Sequence, residues 1–205
     1  MLPTQVDDNY KTKQYFQQAN QIEITDKSRN FFNDRVGRIV FGTTTGYPCC
    51  VTNMHQGYPK FVQNLWYATA DNGLAALVYG ASKVNAKVAN GQEVSFTEET
   101  NYPFSDQIKF TYNAKNDHTF PFHLRIPEGR NNPVIKVNGQ IQKYNKEKIF
   151  ILKRMWSEND VVELQLPMNI SFSKWYENSL VIERGPLVYA LKLEEDWREV
   201  KTEEF

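Results

Sequence analysis

From residue 73 onward the chain is a series of short apolar runs separated by turn residues, and that texture confines it to a sheet-rich fold. Phe120, Phe122, Leu124 and Ile126 alternate with Pro121, His123 and Arg125, the period of two expected of a strand with one buried face, and Pro127 stops it. Residues 134–137 and 141–144 flank Asn138-Gly139, the dipeptide that best tolerates the two positive φ angles of a tight hairpin turn. Further runs lie at 74–79, 149–152 and 161–166, the last two on either side of Ser157-Glu158-Asn159-Asp160. Runs at 180–183 and 187–193 bracket Arg184-Gly185-Pro186. Strands this short and this closely spaced predict an antiparallel β-sandwich. Aromatic residues make up 14% of the chain, which agrees, because aromatic side chains favour pleated, half-buried surfaces.

The first third has a different texture. Residues 1–35 are polar and without a clean period, and read as loops with short elements; residues 42–50 are turn-rich. Then Met54, Tyr58, Phe61, Val62, Leu65, Trp66 and Thr69 recur at spacings of three and four, one face of a helix. Asn53 could cap it, or it could begin around Gly57 with Pro59 in its first turn, where a missing N–H costs little. Asp71-Asn72-Gly73 is expected to end it. The reading is mainly β: a helix-bearing first third joined to a sandwich.

Charge narrows the function. Lys plus Arg and Asp plus Glu each total 24, so the net charge is zero. A dedicated nucleic-acid binder would carry a basic excess and a polybasic membrane anchor a basic cluster, so neither nucleic acid nor membrane is an expected partner. The longest nearly unbroken apolar stretch, residues 73–81, is about half of the roughly 20 residues a membrane span needs. The first residues lack the basic and apolar regions of a signal peptide, and no compartment is assigned. Dinucleotide-binding, phosphate-loop and nucleophile-elbow spacings are all missing from the sequence.

The two cysteines, Cys49 and Cys50, are neighbours. Adjacent Cα atoms lie about 3.8 Å apart, whereas a relaxed disulfide wants roughly 4.4–6.8 Å. The pair is therefore a set of buried packing residues, a redox pair or metal ligands. A helix starting just beyond would favour a thiolate there, and His55 could be a third soft ligand. Two cysteines alone do not complete a four-ligand zinc site. Tyr47, Tyr58, Trp66 and Tyr67 could stack on a sugar or belong to a core. Glu98-Glu99 and Glu194-Glu195 would point apart on a strand, and both pairs are expected in solvent, as His118 and His123 are expected at the surface.

The run from Thr45 to Gln63, Thr-Gly-Tyr-Pro-Cys-Cys-Val-Thr-Asn-Met-His-Gln-Gly-Tyr-Pro-Lys-Phe-Val-Gln, resembles the double-cysteine signature of glycoside hydrolase family 127, the β-L-arabinofuranosidase-like proteins. The resemblance continues, in order, through residues 70–80, 122–127, 137–139 and 183–189. It implies an (α/α)₆ barrel followed by a β-sandwich. Residues 1–72 would be the C-terminal part of the barrel catalytic domain, and residues 73–205 a sandwich cut short at its C-terminal end. It also implies Cys49 as nucleophile, Cys49 and Cys50 as zinc ligands in the full-length enzyme, and Tyr47, Asn53 and His55 as substrate-binding residues. The implied reaction is retaining hydrolysis of a terminal L-arabinofuranose or a related glycoside.

In the family a glutamate and another cysteine upstream complete the metal site, and a separate glutamate is the acid/base. Here Cys49 has no cysteine before it, and Glu23 is the only glutamate ahead of the pair. The chain therefore reads as a middle-to-late part of a larger enzyme, inactive in isolation. The reading from another class is a non-catalytic carbohydrate-binding or structural sandwich, with the cysteines merely packed.

Overall fold

The computed structural model describes residues 56–189 apart from 90, 130, 131, 176, 177 and 179. The one helix among the described residues, α1, is Gly57–Gln63, with Pro59 in its first turn as expected. It stops before Leu65, which corrects the expectation that the helix runs to Thr69. The Leu65 carbonyl accepts hydrogen bonds from the amides of Leu77 (3.1 Å) and Val78 (3.5 Å), and Trp66–Ala68 becomes strand β1. Asp71-Asn72-Gly73 is thus a hairpin turn rather than a helix terminator: β1 pairs antiparallel with β2 (Leu74–Ala76), and Asn72 has φ of 62°.

One sheet has the order β1-β2-β6-β9, where β6 is His118–Arg125 and β9 is Ile149–Trp156. Its β2–β6 pair is parallel and its other pairs are antiparallel, so the expected sandwich contains one parallel neighbour. The second sheet is antiparallel throughout, in the order β3-β4-β5-β10-β7-β8. Its strands are β3 (Ser82–Val88), β4 (Gln92–Thr100), β5 (Gln107–Tyr112), β7 (Val134–Val137), β8 (Gln140–Ile141) and β10 (Val161–Gln165). A separate three-stranded sheet joins β11 (Ile170–Lys174), β12 (Leu180–Arg184) and β13 (Leu187–Tyr189). Gly185, between the last two, has φ of 65°, the conformation its turn requires.

The inner faces of the first two sheets meet in an aromatic layer. Phe96 of β4 stacks on Phe122 of β6 with centroids 4.7 Å apart, and Phe110 of β5 meets Phe122 edge-on at 5.3 Å. Trp156 of β9 lies edge-on to both Phe96 (5.7 Å) and Phe122 (6.0 Å). Such pairs contribute about 0.5–1.5 kcal/mol each beyond the area they bury.

The predicted Asn138-Gly139 hairpin joins β7 and β8, with φ of 50° and 79° at its two turn residues. The Asn138 side chain donates to the buried Asp160 carboxylate at 2.6 Å and accepts from the Val161 amide at 2.8 Å. Asp160 also accepts from the Ser157 amide and pairs with Arg154 at 3.3 Å. One carboxylate therefore ties together two turns nearly twenty residues apart, at Asn138-Gly139 and at Ser157–Asp160.

Gly73 is required by close approach. A Cβ there would lie 2.2 Å from the Pro121 carbonyl oxygen and 2.6 Å from the Pro121 ring. Gly73→Ala should push β2 from β6 and cost about 1–3 kcal/mol, read as a lower urea midpoint. A midpoint equal to the parent's would contradict this contact.

Candidate functional site at the exit of the first helix

The residues that the sequence marks for chemistry, Tyr47, Cys49, Cys50, Asn53 and His55, lie outside the described residues, as do Glu194 and Glu195. What is described is the frame that follows them. None of the seven residues of α1 is buried, and Tyr58 is 74% exposed. The helix exit is tied to the sandwich. Leu65 is buried, and Trp66 inserts between the sheets, 5.8 Å from Phe110 and 6.0 Å from Phe122. Of the aromatic residues considered for sugar stacking, Trp66 is therefore core, while Tyr58 and Tyr67 are exposed.

The Trp66 indole leads to a buried polar network. Its Nε1–H donates to Ser82 Oγ at 3.0 Å, and the Ser82 hydroxyl donates to Glu98 Oε2 at 3.1 Å. The other carboxyl oxygen, Oε1, accepts from the Gly80 amide at 3.0 Å. Glu98 is only 2% exposed, which overturns its expected place in solvent. The alternation of β4 explains why: Val94, Phe96 and Glu98 share the inward face, so a carboxylate occupies a core position. Glu99 points the other way and pairs with Lys109 at 3.0 Å, so that half of the expectation holds. Burial pushes the Glu98 carboxyl up to about 7, against the opposing effect of the hydrogen bonds from Gly80 and Ser82.

A second polar group lies on β6 and the β1–β2 turn. His123 Nε2 contacts Asp71 at 3.0 Å, and its side chain is only 12% exposed, so the surface expectation is corrected by this partner. Asp71 also accepts from the Thr69 hydroxyl, and that bond first, then the imidazole, holds its carboxyl below the usual range. On β6, His118 has a buried Nδ1 without a hydrogen-bond partner. Among the described residues no group of three His, Cys, Asp or Glu converges as a metal site would require. No helix among the described residues is long and apolar enough to cross a membrane.

A solved glycoside hydrolase is similar over 90% of this chain and 31% of its own, with a TM-score of 0.70 and 22% identity. A GH127 β-L-arabinofuranosidase from Geobacillus stearothermophilus T6 is similar over 90% of this chain and 30% of its own, at TM-score 0.67 and 20% identity. A third structure, a GH127 β-arabinofuranosidase, is similar over 68% of this chain and 25% of its own, at TM-score 0.59 and 21% identity. No curated protein matches the sequence. The chain matches, over residues 73–168, the family model described as the β-L-arabinofuranosidase, GH127 middle domain. It spans about a third or less of the length of these solved structures.

The raised carboxyl sets a pH dependence. A Glu protonated in the fold up to about 7, against an ordinary value of 4.5, lends stability that is fully present below pH 4.5. That contribution is lost as pH rises through 7, and amounts to an order of 3 kcal/mol. Glu98→Gln keeps an acceptor for the Gly80 amide and, with the Ser82 hydroxyl turned to accept, a partner for Ser82 without the charge, and should flatten urea stability between pH 5 and 8. An unchanged slope in that variant would contradict the assignment.

Proposed function

We propose that the chain is part of a retaining glycoside hydrolase that uses Cys49 as nucleophile on a terminal L-arabinofuranoside or a related glycoside. The observation that supports this most is the order of features: a double-cysteine run followed by a sandwich that matches the GH127 middle domain. In this reading the Cys49 sulfur bonds to the anomeric carbon as the glycosidic C–O bond breaks, and the leaving oxygen takes a proton from a carboxylic acid. Water, giving a proton back to that carboxylate, then displaces the sulfur as a thiolate, and two inversions give net retention. Tyr47, Asn53 and His55, close to the pair in sequence, are the proposed sugar contacts.

Adjacent thiols are the soft donors that suit zinc, and they fill two of its usual four positions. Cys49 and Cys50 would hold the ion, which when bound keeps a thiol deprotonated at neutral pH. Since two donors leave the set incomplete, the 205 residues alone should bind zinc weakly and turn over no substrate. One observation favours a second reading, a non-catalytic carbohydrate-binding or structural sandwich: the family match covers residues 73–168 and not the cysteines.

Elemental analysis of the purified chain beside a Cys49→Ser, Cys50→Ser variant should find little zinc in either. Near-stoichiometric zinc that disappears in the variant would show that local residues complete the site. In the longest reading frame that carries this chain, Cys49→Ser should reduce arabinofuranoside hydrolysis by roughly 10³-fold or more. Hydrolysis at the parent's rate would favour the binding-module reading.

A further inference from the structure

Helix α1 buries none of its own residues, and its exit is tied to the loop from Leu77 to Ser82. Three ties converge there. The Leu65 carbonyl takes the Leu77 amide, and the Trp66 indole donates to Ser82. The Phe61 ring and the Leu65 side chain crowd Gly80, where an added Cβ would lie 3.3 Å and 3.5 Å from them. Glu98 grips both Gly80 and Ser82, and both bonds come from neutral donors.

We infer that Glu98 is the positioning residue of α1: its carboxyl pins the two loop residues that hold the helix exit, and its ionisation releases them. The groups around it offer no compensating cation bond. Phe110 faces it from β5 and Ser82 from β3. Tyr79, buried on the same loop, donates to the Arg125 carbonyl at 2.5 Å and meets Tyr102 edge-on at 5.9 Å. The Arg125 guanidinium itself is directed to the Leu77 carbonyl. An opening of the loop that hydrates Glu98 is therefore favoured by loss of its proton, and the population of that opening rises with pH until the folded-state carboxyl is fully ionised.

The inference touches the proposed function only in that α1 begins seven residues after Cys50 in the sequence. The helix anchoring itself is read without substrate, and the two claims fail separately. Native-state hydrogen exchange on the intact chain between pH 5 and 8, corrected for intrinsic rates, should show protection of the Leu77, Val78 and Gly80 amides and the Trp66 indole falling roughly 100-fold. The fall should be nearly insensitive to low urea, while amides of β7 and β10 respond to urea as global unfolding does. Glu98→Gln should remove the pH dependence while keeping the protection, and Ser82→Ala should lower Trp66 protection at every pH. Protection that tracks β10 throughout, or a Glu98→Gln profile equal to the parent's, would overturn the inference.

Discussion

The stacking of Phe96 on Phe122 across the two sheets is the contact on which the rest of the molecule depends. It places β4 opposite β6, and Trp66, Phe110 and Trp156 then fill the space around the pair at 5.3 to 6.3 Å. A close-packed interior tolerates little change in volume, so the position of these rings fixes the register of both sheets. Trp66 carries that constraint outward. Its ring belongs to the core, its backbone is the first residue of β1, and its N–H reaches the network that ends at Glu98.

The same inward face of β4 that supplies Phe96 also supplies Glu98, and the two residues show different physics at one kind of position. A phenyl ring gains from leaving water, whereas a carboxylate loses unless its oxygens are bonded or its charge removed. Here both occur: two donors satisfy the oxygens, and burial keeps the group protonated to about 7. A sandwich needing stability alone would gain from an apolar residue there. What the carboxyl adds is a hold on the loop against which α1 ends, the one helix among the described residues.

The parts of the fold legible in the sequence are those where a local rule and the tertiary structure agree. Asn138-Gly139 specifies a turn by its own backbone preference, and β6 announces itself by strict alternation from Phe120 to Leu124. The helix boundary was not legible, because over residues 65–69 the three-four spacing of Leu65, Trp66 and Thr69 fits a strand pair as well. The decisive contact, the Leu65 carbonyl with Leu77, is made by residues twelve apart. Strand β3 escapes notice because its inward positions are Ser82, Val84 and Ala86, too small and mixed to mark a face. For Glu98 the clue was present: Val94 and Phe96 precede it at the same parity, which makes an inward carboxylate readable once β4 is recognised as a strand. At the proposed catalytic segment, spacing alone leaves packing, redox and metal roles open for Cys49 and Cys50, and the proposal among them leans on the resemblance of the whole run.

The central claim is that this sandwich belongs to an enzyme whose nucleophile is a cysteine sulfur. Its most direct test is rapid acid quenching of the longest reading frame during turnover of an activated aryl arabinofuranoside, followed by peptide mass spectrometry. The account predicts a pentose attached to the peptide containing Cys49, absent when Cys49 is replaced by serine. A pentose on a carboxylate side chain, or turnover without any covalent sugar, would contradict it.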